Sequence, residues 1–279
     1  MNFHHIFGAL EKADPEVYER MDTRRKTLQR FAGLGTKISL AALPFALGSL
    51  FQKAYAGTRN VADTPVEILN YALTLEYLES EFYAQGNAKG TALIPAGAAT
   101  SALATIGAHE SAHVAFLTAA IKGASGTPVA KPTFDFTAKG TFLDVFINYN
   151  TFLAVAQTFE DTGVRAYKGR AAELVKGGDL LTAALNIHSV EARHASHIRQ
   201  MRKALSSSLD LKPWITGKAS GIGAAVQASY DGEENTKQAT IEITNINGMG
   251  TSVNAATEAF DEGLTKDQVL AIVAPFIVK

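Results

Sequence analysis

His109-Glu110-Ser111-Ala112-His113 and Val190-Glu191-Ala192-Arg193-His194 carry the same Glu-x-x-His spacing, 81 positions apart. Each copy follows a glutamate with a tyrosine seven positions on: Glu76 with Tyr83, and Glu160 with Tyr167. Glu76 to Glu110 spans 34 positions and Glu160 to Glu191 spans 31, so the order is a repeat. On an α-helix, residues three or four apart share a face. Four carboxylates and two imidazoles at these spacings are the donor set of a two-metal site inside a four-helix bundle.

The flanking residues supply the helices. Thr64-Pro65-Val66-Glu67 reads as a helix start, with Thr64 as cap, Pro65 at the first position and Glu67 closing a capping box. Leu69, Leu73, Glu76 and Tyr83 then share a face, and Gly86-Asn87 ends the helix. Glu79 falls about 60° off that stripe and is set aside in favour of Glu76. A second helix is predicted from about 97 to 121, with Leu103, Ile106, Glu110, His113 and Leu117 in line. The Gly-, Pro- and Thr-rich stretch 123–136 is long enough to cross the length of a bundle.

Thr141-x-x-Asp144 is expected to open a third helix, in which Leu153, Gln157, Glu160, Val164 and Tyr167 share a face. Gly177-Gly178-Asp179 separates it from a fourth, carrying Ile187, Glu191, His194, Ile198 and Met201. Short loop, long crossover, short loop defines the fold class: an all-α, ferritin-like four-helix bundle. Beyond Pro213 the pattern weakens. Ala239 to Ile243 alternates like a short strand, and Thr265-x-x-Gln268 opens a last short helix through Val273.

A glutamate inside a helical core is costly unless something neutralises it. Arg193 is the one cation near these stripes, and it lies off the face of Glu191. Two divalent ions would neutralise Glu76, Glu110, Glu160 and Glu191 and explain His113 and His194 together. In the working assignment Glu76 and Glu160 are terminal, Glu110 and Glu191 bridge, and each histidine binds one ion. Oxygen-rich ligands with one imidazole per ion suit two iron ions, or alternatively two manganese ions. Tyr83 and Tyr167 are positioned to hydrogen-bond ligands or to serve proton or radical transfer. His109, His188 and His197 fall off the metal stripe and read as surface or helix-contact histidines, with support of the ligands from behind as the alternative. With Cys 0, iron–sulfur clusters and thiolate zinc are excluded, and nothing points to haem.

The first copy also matches the zinc-protease pattern H-E-x-x-H. Val190 stands where the second copy would need its histidine, Glu76 and Glu160 have no part in a protease, and His109 points about 100° from Glu110. The protease is therefore a remote alternative.

A net charge of −1 without basic clusters excludes a nucleic-acid partner as the expectation. Residues 1–56 read as an export signal: Arg24-Arg25 lies within Thr23 to Leu28, the apolar stretch 31–51 follows, and Ala54-Tyr55-Ala56 is a small-x-small cleavage site. The expected organisation is a twin-arginine signal (1–56), a bundle (57–212) and a C-terminal extension packed on it (213–279). The mature protein is then periplasmic or extracytoplasmic, and touches the membrane only through the signal. The alternative is a membrane anchor, since 21 residues can just span a bilayer; Lys37 and the glycines within the stretch weaken it.

Thr64 to Leu205 resembles the ferritin-like superfamily of carboxylate-bridged dimetal proteins. Leu69 to Glu79, and Ala255 to Glu262 in the tail, are similar to its desiccation-related, twin-arginine-exported branch. The resemblance implies the four-helix bundle, the ligands named above, and redox chemistry on oxygen or peroxide in oxidative or desiccation stress. A non-catalytic, metal-stabilised protector of the cell envelope is the alternative, and homo-oligomers are compatible with either.

Overall fold

A computed structural model describes residues 63–278, apart from 175–176, 207–208 and 247. The export-signal reading of 1–56 lies outside the described residues. Four long helices dominate: α1 (Pro65–Ala88), α2 (Ala98–Gly123), α3 (Tyr149–Ala171) and α4 (Asp179–Leu205). Two shorter ones follow, α5 (Val253–Thr257) and α6 (Lys266–Val273).

Helix α1 begins as its sequence dictates. The Thr64 hydroxyl accepts from the Glu67 amide at 3.3 Å, and Glu67 Oε2 accepts from the Thr64 amide at 2.7 Å. This box satisfies two of the donors a helix start leaves free. α1 packs on α2 and α3 on α4, giving two helical hairpins. The connection between them is tied along α1. Asn70 binds Thr127 O and the Val129 amide, and Lys131 reaches Glu81 at 2.6 Å. The crossover then pairs with the end of the chain: Asp135 N donates to Phe276 O, and Val278 N to Thr133 O.

The third helix starts later than the Thr141-x-x-Asp144 pattern suggests. Ala138, Lys139 and Gly140 all take positive φ, which a helix forbids, and the Asp135 carboxylate accepts from the Thr137 and Lys139 amides to hold that turn. Asn148 supplies the actual cap, accepting from the Asn150 amide at 3.0 Å. The expected strand 239–243 is likewise a tight hairpin. Lys237–Gln238 pairs antiparallel with Ile241–Glu242 across Ala239 and Thr240, both at positive φ.

Two apolar layers bracket the middle of the bundle. One is aromatic: Phe82 stacks on Phe152 at 4.7 Å and meets Phe159 edge-on at 5.2 Å. The other holds Leu69, Leu73, Leu117, Ile121 and Ile187. Tyr83 belongs to the first layer and Tyr167 to the second.

The tail packs against α3 and α4, and arginines from those helices hold it. Arg165 donates to the carbonyls of Ser229, Asp231 and Glu262 and pairs with Glu233 at 2.7 Å. Arg199 clasps Asp161 at 2.6 Å, and the Tyr230 hydroxyl donates to the same carboxylate at 2.8 Å. Near the end of α3 the tail backbone crosses so closely that a side-chain carbon at Gly169 would lie 1.8 Å from Leu264 O. Only glycine fits there.

Candidate metal centre

Between the two apolar layers, each long helix turns one glutamate inward. Glu76, Glu110, Glu160 and Glu191 are all fully buried, and His194 is 5% exposed. His113 is the most accessible of the six, with 12% of its side chain exposed. Two groups of atoms converge: Glu76, Glu110, His113 and Glu191 form one, and Glu110, Glu160, Glu191 and His194 the other. Within each group one atom per residue lies within 4.8 Å of the rest. Glu110 and Glu191 belong to both groups; Glu76 with His113, and Glu160 with His194, belong to one each. All six predicted ligands are thus brought together from four helices.

Both histidines present Nδ1 to the carboxylates. His113 Nδ1 lies 3.1 Å from Glu76 and from Glu110, and 3.3 Å from Glu191. His194 Nδ1 lies 2.8 Å from Glu110 and 3.3 Å from Glu160. Yet His194 Nδ1, Glu110 Oε1, Glu160 Oε2 and both Glu191 oxygens are buried without a hydrogen-bond partner. They are close but not aligned donor to acceptor; they share a focus instead. Buried polar atoms are almost always bonded, so five such orphans at one focus call for a central binding group. Hard oxygens with one imidazole nitrogen per group fit iron or manganese.

The electrostatics agree. Burial pushes the Glu76 carboxyl up to about 7, and raises Glu160. Burial and then the Glu110 charge carry Glu191 well above the carboxylate range. Burial opposes charge on His113 and His194 as well, but the carboxylates overcome it and push them up to about 12 and about 10. Those two imidazoles outweigh the burial of Glu110 and draw it down to about 2. The cluster holds protons because four buried carboxylates outnumber the two imidazoles that face them.

The tyrosines are crossed between the two halves. Tyr83, on the helix of Glu76, donates to Glu160 Oε1 at 2.5 Å. Tyr167, on the helix of Glu160, donates to Glu76 Oε1. Antiparallel packing of α1 on α3 explains the exchange: seven residues along one helix lead to the level of the other helix's glutamate. Beyond the Tyr167 ring lies an apolar pocket partly open to solvent, with Leu69, Ala72, Leu117, Ala184 and Ile187 among its walls.

Two residues behave differently from the sequence expectation. His109 is not a mere surface or helix-contact histidine: its Nδ1 lies 2.9 Å from His194 Nε2, and the two rings stack at 5.2 Å. A metal on His194 Nδ1 would leave the ring proton on Nε2, facing His109 Nδ1. His109 stands behind a ligand and outside both convergent groups, unlike the paired histidines of a zinc protease. Glu79, set aside as a stripe-edge residue, is 3% exposed and faces the same cluster. A clue to His109 was its place one residue before Glu110; the clue to Glu79 lies on another helix, at Gly163.

A family model described as a ferritin-like domain matches residues 64–204, half of the chain. No curated protein and no solved structure matches it. The matched span runs from the Thr64 cap nearly to the end of α4 and contains all six converging residues. The chain belongs to the ferritin-like domain family.

Proposed function

We propose that the protein binds two iron or manganese ions and carries out redox chemistry on oxygen or peroxide. The observation that carries this reading is the set of five buried, unpartnered ligand atoms at one focus, drawn from a duplicated Glu/Glu-x-x-His set. Glu76 and His113 would hold one ion, Glu160 and His194 the other, and Glu110 with Glu191, common to both groups, would bridge. When bound, such a pair would supply two one-electron redox centres.

The chain's own residues do the rest. Tyr83 and Tyr167 fix the outer oxygens of Glu160 and Glu76, and each holds a proton within reach of a carboxylate. Burial raises both phenols well above the ordinary tyrosine range, so they remain protonated. His109 steers the His194 ring. The apolar layers above and below exclude water. Partly exposed His113 leaves the small opening that an oxidant of a few atoms requires.

The reading extends to export by the twin-arginine route and a role in oxidative or desiccation stress. Arg24-Arg25 and Ala54-Tyr55-Ala56 support the first, and the resemblance of Leu69 to Glu79 supports the second.

Elemental analysis of purified protein, followed by single-turnover mixing with oxygen or hydrogen peroxide, tests the core of the proposal. Two ions per chain and rapid oxidation are expected, with Glu76→Ala and Glu160→Ala each lowering the metal content. A single zinc retained by both variants would sink the dimetal reading. A full metal complement without turnover would favour a protective, non-catalytic role.

A further inference from the structure

The two halves of the site match at the glutamate and at the tyrosine seven residues on, but differ three residues on. There α1 has Glu79 after Glu76, and α3 has Gly163 after Glu160. The difference is reciprocal in space. A side-chain carbon built on Gly163 would lie 3.0 Å from Glu191 Oε2 and 3.2 Å from Glu79 Oε1. Both contacts are tighter than side-chain carbons usually make, so a side chain at 163 would push one or both of those carboxylates aside by a few tenths of an ångström. Glycine in the middle of a helix costs about 1 kcal/mol relative to alanine. Here the void it leaves admits an extra acid.

Glu79 is 3% exposed, and burial holds its carboxyl well above the ordinary range. The charges that bear on it most are those of Glu191, Glu160, Glu110 and Glu76, all of its own sign. A carboxylate buried among four others has no stabilising role in a metal-free bundle. Glu79 lies outside both convergent groups, so it faces the site without competing for the positions of the other six.

We infer that Glu79 is a fifth carboxylate ligand to the metal pair, standing beside Glu191 in the space that Gly163 vacates. This rests on the dimetal reading of the site. An added carboxylate favours the more highly charged state of the ions, so Glu79 makes the centre asymmetric and biases it toward oxidation.

Cobalt(II) titration, followed by calorimetry and by visible absorption, tests this on wild type and on Glu79→Gln. The variant is expected to bind two ions with one site weakened about 10- to 100-fold and with a changed absorption band. Metal-free Glu79→Gln should melt higher than metal-free wild type above about pH 4.5, because the amide is buried without taking up the proton that the carboxylate needs. Opposite signs in the two states mark a ligand and not a packing residue. Gly163→Ala should weaken wild type in the same way, and the penalty should shrink in a Glu79→Ala background, where room has been made. An unchanged isotherm and spectrum in Glu79→Gln, with wild type binding two ions, would overturn the Glu79 assignment alone. Wild type that takes up no second ion would overturn the dimetal reading with it.

Discussion

Glu160 and Asp161 are neighbours on α3, about 100° apart around the helix, and both are buried. Their surroundings are opposite. Asp161 faces the tail-docking layer, where Arg199 and the Tyr230 hydroxyl bind it and where Arg165 pairs with Glu233. Glu160 faces the bundle centre, among Glu76, Glu79, Glu110 and Glu191, with two imidazoles and no arginine. One layer of buried charge is neutralised by arginines of its own, and the other by two imidazoles and by protons on its carboxyls. Bound metal would take the place of those protons. Burial of acids alone would not have separated a structural cluster from a ligand-binding one; the presence or absence of arginines does.

Breaking the arginine layer should have the largest effect. Arg199→Ala leaves the Asp161 carboxylate buried with only the Tyr230 hydroxyl, and should cost about 3–5 kcal/mol of stability. Denaturant unfolding measures that cost, while metal content per folded chain should stay at the wild-type value. A loss of metal in step with stability would show the two layers to be coupled through α3, and the distinction drawn here would fail.

Metal removal tests the other layer. At free metal one hundred times its dissociation constant, binding to the folded chain alone stabilises it by about 2.7 kcal/mol. That increment should vary with pH in one direction. Carboxyls raised in the fold (Glu76 to about 7, with Glu79, Glu160 and Glu191 also raised) keep protons that the unfolded chain has released, so stripped protein loses stability as pH climbs from about 4.5. His113 and His194, raised to about 12 and about 10, act likewise above about 6.5. Glu110, lowered to about 2, acts the other way only below about 4.5. Bound metal requires these groups deprotonated, so affinity rises over the same range. The melting-temperature gap between loaded and stripped protein should therefore widen from pH 5 to pH 8. Taking the difference also removes Glu233, which burial lifts to about 7 in either state. A constant gap would mean that the metals do not sit on this cluster.

The contrast explains what the sequence could show. The converging residues were legible because donors aimed at one focus recur at helical spacing, and Glu-x-x-His twice over is hard to produce otherwise. The arginine layer was not: Arg165 and Arg199 meet partners from residues 229–262 and from Asp161, and no periodicity links a helix to an irregular tail. Glu79 was hidden for a related reason. Its place depends on a missing side chain on another helix, and a stripe drawn on α1 alone puts it at the edge. The onset of α3 was misplaced because Thr141-x-x-Asp144 has the form of a cap, while the positive φ values at 138–140 depend on Asp135 accepting the turn's amides.

The smallest effect should come from the crossed tyrosines, which tie the two halves of the metal layer together. Tyr83→Phe removes one donor from the buried Glu160, and Tyr167→Phe one from Glu76; each should cost about 1–2 kcal/mol in the stripped protein. In loaded protein the cost should be smaller, because the metal holds the carboxylate that the phenol has released. The diagnostic is which half responds. Since each tyrosine serves the opposite half, Tyr83→Phe should perturb the ion held by Glu160 and His194, and Tyr167→Phe the ion held by Glu76 and His113. Paramagnetic NMR of the cobalt-loaded protein, with the His113 and His194 ring protons as reporters, resolves the two. Perturbation of the ion on the tyrosine's own helix would mean that the halves act independently, and that the crossing seen between α1 and α3 has no bearing on the metals.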